Sequence, residues 1–292
     1  MSITYVIENY INVDTLGPVS PEDACGFYNK ERLYNERPSW PLRFVGKGAA
    51  ADPEFICVDM KGPKQVTFAG IFNHNLTSDP ERFSLKGCAD ACADCDWETA
   101  PAWEEDMKDR ILSSKICSDE YEHIFPNSAK KINRTQQYFR FEFIDLSNPD
   151  EYIEIGEAVL GKYCKFRSTV YLQPGRPDGP SFYMANQETY YGQDWPAYLS
   201  YNEEFSLVFQ NINDVNNLDE LQIFLIRVQK NGGRFIIIPD DDRAETVNYP
   251  ICYYVIVKNK RDFAKRLIHG FENDLREWKL DLKTLTMGIK LL

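Results

Sequence analysis

The chain has 292 residues, a length that allows one large domain or two of ordinary size, and we expect two. Its hydrophobic fraction of 43% and charged fraction of 27% are ordinary for a globular protein, and the aromatic share of 14% is high, as expected of a β-rich fold. The formal net charge of -12 argues against nucleic acid and anionic membrane surfaces as partners, since both attract clustered Lys and Arg.

The first residues do not resemble a secretory signal. Glu8, Asn9, Asn12 and Asp14 interrupt the apolar residues before Leu16, and no run in the chain approaches the roughly 20 apolar residues that span a bilayer. We therefore expect the protein to be made and folded in the cytosol, with its cysteines mostly reduced.

The pattern of the first half indicates extended segments and strands. Residues 6–52 are rich in turns, and no helical period persists there for more than two turns. Gln65–Phe72 is rich in β-formers and predicts a strand that leads into a loop at Asn73–Thr77.

The strand predicted at Gln137–Ile144 is the clearest local signal in the sequence. Its alternating phenylalanines predict one face directed inward, and Arg140 and Glu142 between them predict the opposite face in water. A turn at Asn148–Asp150 then leads to another predicted strand at Tyr152–Leu160.

The composition changes at Gln173–Pro180, where three prolines and two glycines exclude a helix and a central strand. We predict the domain boundary there, with domains at 1–172 and 181–292 and a linker at 173–180.

The second half combines strands with one amphipathic helix. Leucine and valine recur at helical spacing between a start at Asn213–Asp214 and a stop at Asn231–Gly233. Phe263–Glu277 is compatible with helix or strand. Strands are predicted at Phe205–Phe209, Arg234–Pro239, Ile251–Val257 and Trp278–Lys283.

Four segments together resemble a group of tailed-phage virion proteins whose first domain is a galactose-binding, discoidin-like jelly roll. The most specific is Tyr138–Tyr163, in which an aromatic strand, an Asn-Pro-Asp turn and the strand Tyr-Ile-Glu-Ile-Gly follow one another. The others are Leu33–Phe44, Ala69–Leu76 and Tyr190–Gly192. The sequence departs from this group in its cysteine-rich stretch, Gly87–Trp103.

The resemblance implies a mainly β protein with an N-terminal galactose-binding-like β-sandwich and a C-terminal β-sandwich of the tail-tube type that carries the helix. It implies a structural role in the virion, at the tail tip or baseplate, like that of a distal tail protein that joins tube, hub and fibres. The implied partners are those tail proteins and further copies of the same chain in a ring, which requires heterologous, closing interfaces. The protein would be synthesised in the host cytoplasm.

The cysteine-rich stretch contains the main candidate for a bound group. Cys88, Cys92 and Cys95 lie within eight residues, and Cys117 follows as a possible fourth thiolate, so the set can hold zinc or an iron-sulfur cluster. A disulfide formed after lysis and plain surface cysteines are the alternatives. Radical-SAM chemistry is rejected, because the chain lacks the strand-helix alternation of an α/β barrel.

Catalytic signatures are lacking in the sequence, and we expect no enzymatic activity. His74, His123 and His269 lie far apart, and none belongs to a known catalytic motif. Asp240–Asp242 lacks the spacing and glycine of a calcium loop, so a solvated turn is expected. No phosphate-binding motif is present.

A glycan-binding module is the alternative function. In that case the loops of the jelly roll would hold a sugar of the host receptor, with Trp40, Trp97 and Trp103 as the candidates for the stacking face. A cell-wall hydrolase would need an acid/base pair that the sequence does not indicate.

Overall fold

The computed structural model of the protein describes residues 3–20, 29–34, 41–77, 79–90, 94–98, 101–108, 111–112, 127–166, 170–174, 181–188, 194–202, 204–210, 215–238, 253–258 and 277–284. Over these residues the protein is mainly β, with one α-helix and one short 3-10 helix at Lys30–Tyr34.

The strands of the first half include two that are unusually long. They are β1 (Thr4–Asn9), β2 (Leu16–Val19), β3 (Leu42–Arg43), β4 (Glu54–His74), β5 (Arg82–Cys88), β6 (Trp103–Asp106), β7 (Ile111–Leu112), β8 (Asn127–Ile144) and β9 (Glu154–Lys165). The elements of the second half are β10 (Val170–Pro174), β11 (Ser181–Glu188), β12 (Asp194–Asn202), β13 (Glu204–Gln210), α1 (Val215–Lys230), β14 (Arg234–Ile238), β15 (Tyr253–Val257) and β16 (Glu277–Thr284).

Fourteen of these strands form one antiparallel sheet. Along it the order is β10, β13, β16, β15, β14, β1, β9, β4, β8, β5, β6, while β2, β3 and β7 pair with β4, β9 and β8 respectively. β1 therefore lies between a strand of the first half and a strand of the second half. β11 and β12 form a separate two-stranded sheet.

The predicted strands are confirmed. Gln65–Phe72 lies inside β4, Gln137–Ile144 lies inside β8, and Tyr152–Leu160 overlaps β9. Each second-half prediction overlaps β13, β14, β15 or β16. The prediction for Phe263–Glu277 falls almost wholly outside the described residues.

The predicted helix is also confirmed, and its end follows from the glycines. Leu221, Leu225 and Val228 are buried on one side of α1. Gly232 and Gly233 have positive φ angles of 64° and 83°, and their amides donate to the carbonyls of Gln229 and Val228. This Schellman arrangement satisfies the last carbonyls of the helix and stops it, because glycine adopts the left-handed conformation without a Cβ penalty.

Among the described residues the apolar core has three large clusters and one small one, and two of the large clusters combine residues from both halves of the chain. The largest includes Phe139, Phe141 and Phe143 of β8, which are fully buried as predicted. A second packs α1 against the strands of the second half and includes Tyr5 of β1. A third joins Val6 and Phe68 to Ile236. The N-terminal strand thus contributes to the core of both halves.

The predicted linker is described only at its first two residues. Gln173 and Pro174 end β10, which is an end strand of the sheet, where proline is tolerated. Residues 175–180 lie outside the described ranges, and the division into domains remains a prediction. Among the described residues, no helix combines the length and the hydropathy needed to cross a membrane.

Candidate functional site

The cysteine-rich stretch covers the outer face of the sheet at β4, β8 and β5. We call residues 88–98 the cysteine loop; its residues 91–93 lie outside the described ranges. A disulfide joins Cys88 at the end of β5 to Cys95, seven residues later. The indole of Trp97 then packs back against the sheet, so that only 4% of this residue is exposed.

Beneath the cysteine loop, a buried carboxylate is surrounded by cations. Glu142 of β8 is fully buried, and its Oε2 lies 2.8 Å from Nζ of Lys86 and 3.2 Å from Nη1 of Arg82. Its Oε1 lies 2.9 Å from Nε of Arg140. We call these four residues the charge cluster. An ionised group is costly to bury unless partners replace its hydration; here three cations lie within ion-pair distance, although Nε of Arg140 and Oε1 of Glu142 are not hydrogen-bonded.

Strand register explains why these side chains meet. Arg140 of β8 is the Cα partner of both Lys86 of β5 and Cys57 of β4, and Glu142 is the partner of Ser84 and Phe55. Residues directly opposite each other on neighbouring strands share a face of the sheet. The charge cluster is therefore built by the adjacent strands β5 and β8, beside Phe55 and Cys57 of β4, on the face opposite to the three core phenylalanines of β8.

The cysteine loop is tied to the charge cluster by polar and apolar contacts. Nζ of Lys86 donates a 2.8 Å hydrogen bond to the carbonyl of Trp97. The guanidinium of Arg140 lies 4.2 Å from the ring centroid of Phe55 and 5.6 Å from that of Trp97. Cys57 and Cys88 pack with Trp97 in a small apolar cluster. The loop thus shields Lys86, Glu142 and most of Arg140 from water, while Arg82 stays partly exposed.

This arrangement corrects one sequence prediction. The alternation in β8 predicted Arg140 and Glu142 in water, but Glu142 is fully buried and the Arg140 side chain is only 13% exposed. The strand and its inward face were predicted correctly. The second face is covered because a segment about 45 residues earlier folds over it, and a local alternation carries no information about such a cover.

The predicted metal ligands are only partly described. Cys88 and Cys95 form the disulfide that the sequence left open as an alternative, while Cys92 and Cys117 lie outside the described ranges. A disulfide sulfur is no thiolate, so these two residues would have to be reduced before they bound zinc or iron. No group of three or more His, Cys, Asp or Glu side chains suited to a metal occurs among the described residues. The four-cysteine metal site remains a prediction.

Of the three histidines in the sequence, His74 is the one that the structure describes. It is fully buried, its Nε2 lies 2.9 Å from Oγ of Ser128, and its Nδ1 accepts from the amide of Leu76. Burial lowers the pKa of His74 to about 3, because the charged ring would lose its hydration. Ser128 is also fully buried, so the pair is inaccessible to a substrate. His123, His269 and Asp240–Asp242 lie outside the described residues.

The tryptophans proposed for sugar stacking are placed differently. Trp97, which belongs to the cysteine loop, is buried against the sheet, and Trp40 lies outside the described residues. Trp103 packs edge-on against Phe139, with ring centroids 5.9 Å apart, and so closely over Gly87 that a Cβ there would lie 2.3 Å from the indole nitrogen. A side chain at position 87 would therefore displace the indole.

Polar side chains join the loops at one end of β4, β8 and β9. Asp145, fully buried, accepts hydrogen bonds from the amide and hydroxyl of Thr77 at 2.8 and 2.7 Å. The amide of Asn148 donates to the carbonyl of Asn75, and the Asn75 amide donates in turn to the carbonyl of Tyr152. The sequence predicts turns at Asn73–Thr77 and Asn148–Asp150, but it does not indicate that hydrogen bonds join these turns to each other.

Comparison of the chain with models of protein families gives no match, and comparison with curated proteins gives no significant match.

Proposed function

We propose that the protein is a structural component of a bacteriophage tail tip or baseplate, where it joins tube, hub and fibres as part of a ring of identical chains. It would act by binding its neighbours rather than by catalysis. Two observations support the proposal. The first is the set of segments that resemble the phage family, and the second is the hairpin of β11 and β12, which does not pair with the main sheet.

Three of the four segments on which the resemblance is based contact one another in their described residues, while Tyr190–Gly192 lies outside the described residues. Asn75, in the second segment, binds Tyr152 and the amide of Glu154 in the third. Phe44, at the end of the first, donates its amide to the carbonyl of Ile153. Residues 77 to 109 positions apart in the chain thus contact one another, which favours a shared fold over a chance match of short motifs.

The observation that carries the assembly role is the hairpin of β11 and β12. Within the described residues these strands pair only with each other, whereas an isolated two-stranded hairpin is at best marginally stable in water. Their register places Phe182 opposite Tyr201 and, after a register shift between Tyr183 and Met184, Met184 opposite Tyr198, so the paired positions on each side of the shift share a face of the hairpin. Such a face is suited to burial against another protein surface.

A paired substitution tests this role. Phe182→Ser removes an aromatic residue from the proposed binding face, and Tyr183→Ser makes a comparable change at the next position, on the other face. In mass photometry and electron micrographs we expect rings for the wild type and for Tyr183→Ser, and smaller species for Phe182→Ser. A wild type that stays monomeric at all concentrations, or equal behaviour of the two variants, would contradict the proposal.

The alternative, a glycan-binding module, has less support. Sugar sites use exposed aromatic faces, and Trp97 is buried while Trp103 packs against Phe139 and Gly87. Screening of the purified protein on a glycan array would discriminate between the two functions. Specific retention by one sugar class, together with a monomeric state in solution, would favour the alternative.

A further inference from the structure

α1 exposes two large apolar side chains on the side that faces away from the core. Ile223 is 52% exposed and Ile226 is 46% exposed, whereas Leu221 and Leu225 are buried. Residues three positions apart are neighbours on a helix surface, so the two isoleucines form one apolar patch. Isoleucine is a poorer helix former than Ala, Glu or Lys, so helix propensity does not explain a pair of them on an exposed side. The patch is suited to burial against a partner.

Charged side chains of opposite sign lie at the two ends of this patch. Asp219 precedes Ile223 by four residues, Lys230 follows Ile226 by four residues, and both are exposed. At about 100° per residue, all four side chains lie within about 60° of one another around the helix. The helix dipole favours this order of charges, but it does not require isoleucines between them. We call these four residues the outer face of α1.

The outer face is complementary to itself when a second α1 lies antiparallel to the first. A twofold axis between residues 224 and 225 brings Ile223 opposite Ile226 of the partner subunit, and Asp219 opposite Lys230 of the partner subunit. The charged residues then lie about 8 Å from the axis along the helix. Packed helices lie about 8–10 Å apart, a separation that an Asp-Lys pair can span. A parallel arrangement would bring Asp219 opposite its own copy, where like charges repel.

The other polar side chains of α1 agree with the same axis. It brings Arg227 opposite Gln222 of the partner subunit, and Glu220 opposite Gln229 of the partner subunit. Among residues 219–230, no two charges of the same sign therefore face each other in the antiparallel pair. A surface that matches a second copy of itself in this way is what an isologous contact requires.

We propose that two copies of the chain associate through the outer face of α1, antiparallel about a twofold axis. This contact uses the same surface on both copies, whereas the ring proposed above uses two different surfaces. It would link two free chains or two rings, and the inference does not depend on the role in a phage tail. One helix face is smaller than a standard interface of about 1,600 Å², so we expect a weak dimer with a dissociation constant in the micromolar range or above.

Charge reversal tests the contact. Asp219→Lys brings two lysines together at each end of the antiparallel pair, and Lys230→Asp brings two aspartates together there. Sedimentation velocity from about 1 to 100 μM should show a monomer-dimer equilibrium for the wild type. Each variant should have a dissociation constant roughly tenfold higher, because two exposed ion pairs are replaced by repulsion. Glu151→Lys reverses a charge that is 78% exposed and outside α1, and it should dimerise like the wild type.

A mixture of the two reversed chains gives the most specific result. In a mixed dimer of Asp219→Lys with Lys230→Asp, each end of the pair again joins a lysine to an aspartate. The mixture should therefore dimerise about as tightly as the wild type. A mixture that stays as weak as its components would overturn the twofold arrangement, and a wild type that forms no dimer would overturn the contact itself.

Two further variants test the apolar centre and separate this contact from the ring. Ile226→Ala keeps a good helix former and should weaken the dimer, whereas Val13→Ala shortens a side chain that is 72% exposed outside α1 and should not. Equal dimerisation of the two would contradict a role of the isoleucines. Phe182→Ser should prevent rings and keep the α1 dimer. Dimers without rings in the wild type would refute the ring alone, and rings that Asp219→Lys leaves unpaired with no dimer in Phe182→Ser would refute this inference alone.

Discussion

Replacement of Glu142 by Gln is the sharpest test of the charge cluster. The substitution keeps the size of the side chain and removes the negative charge that three cations share. Lys86 is only 3% exposed and Arg140 only 13%, so their charges would remain buried without their principal counter-ion. Glu98 and Glu104 approach Lys86 no closer than 3.9 Å and are about half exposed, so they compensate little.

The expected magnitude follows from this burial. Breaking a buried ion pair by removal of one partner costs about 3–5 kcal/mol. For a domain of this size, 1 kcal/mol corresponds to about 2–4 °C in melting temperature, so the loss should be on the order of 10 °C. Glu98→Gln is the matched control, because Glu98 also contacts Arg82 but from an exposed position, where ion pairs contribute at most about 1 kcal/mol.

Thermal and urea unfolding, followed by circular dichroism, would measure both variants. The reasoning predicts a large loss for Glu142→Gln and a small one for Glu98→Gln. Similar melting temperatures for the two variants would refute it, because the charge cluster would then be accessible to water despite the cysteine loop.

Three further predictions concern other parts of the chain. Reduction of the disulfide between Cys88 and Cys95 should expose Trp97 and shift its fluorescence to the red, and it should lower the free energy of unfolding by roughly 2–3 kcal/mol because the closed loop is short. Cys88→Ala should show the red-shifted spectrum before any reductant is added. A spectrum that a reductant leaves unchanged would disprove the connection between the disulfide and the burial of Trp97. Stability should fall as the pH drops from 6.5 toward 3, because unfolding lets His74 regain its usual pKa and take up a proton. His74 contributes a slope of up to about 1.4 kcal/mol per pH unit to the pH dependence of the free energy of unfolding. His74→Asn should remove this contribution, and an unchanged slope in the variant would show that His74 is not its source. Limited proteolysis should cut first within residues 173–180 and yield two stable fragments by mass spectrometry, whereas protection of this segment would mean that the boundary is misplaced.

The parts of the fold that local sequence determines were predictable. The alternating phenylalanines of β8 and the leucine spacing of α1 are short-range patterns, and the glycines after α1 mark its end in the chain. Each signal lies within one element and depends on no distant residue.

The candidate sites were less predictable, since distant segments form them. The cysteine spacing identified an unusual stretch, but not that it would bury Glu142. Nothing near Glu142 in the sequence indicates that it pairs with Lys86, which lies on another strand much earlier in the chain. Which strands pair across such sequence separations depends on the order of strands in the whole sheet. The residue pattern within one strand does not specify that order.

The position of β1 has a consequence for biosynthesis. Its residues are translated well before their partners, since they pair with Tyr163–Lys165 and with Ile236–Ile238. Pairing over such sequence distances makes folding slow, because a long loop must close before any contact forms. The unpaired strand Thr4–Asn9 is a target for wrong edge pairing during this interval. A chaperone that shields the nascent β1 until about residue 238 has been made should therefore raise the yield of native protein.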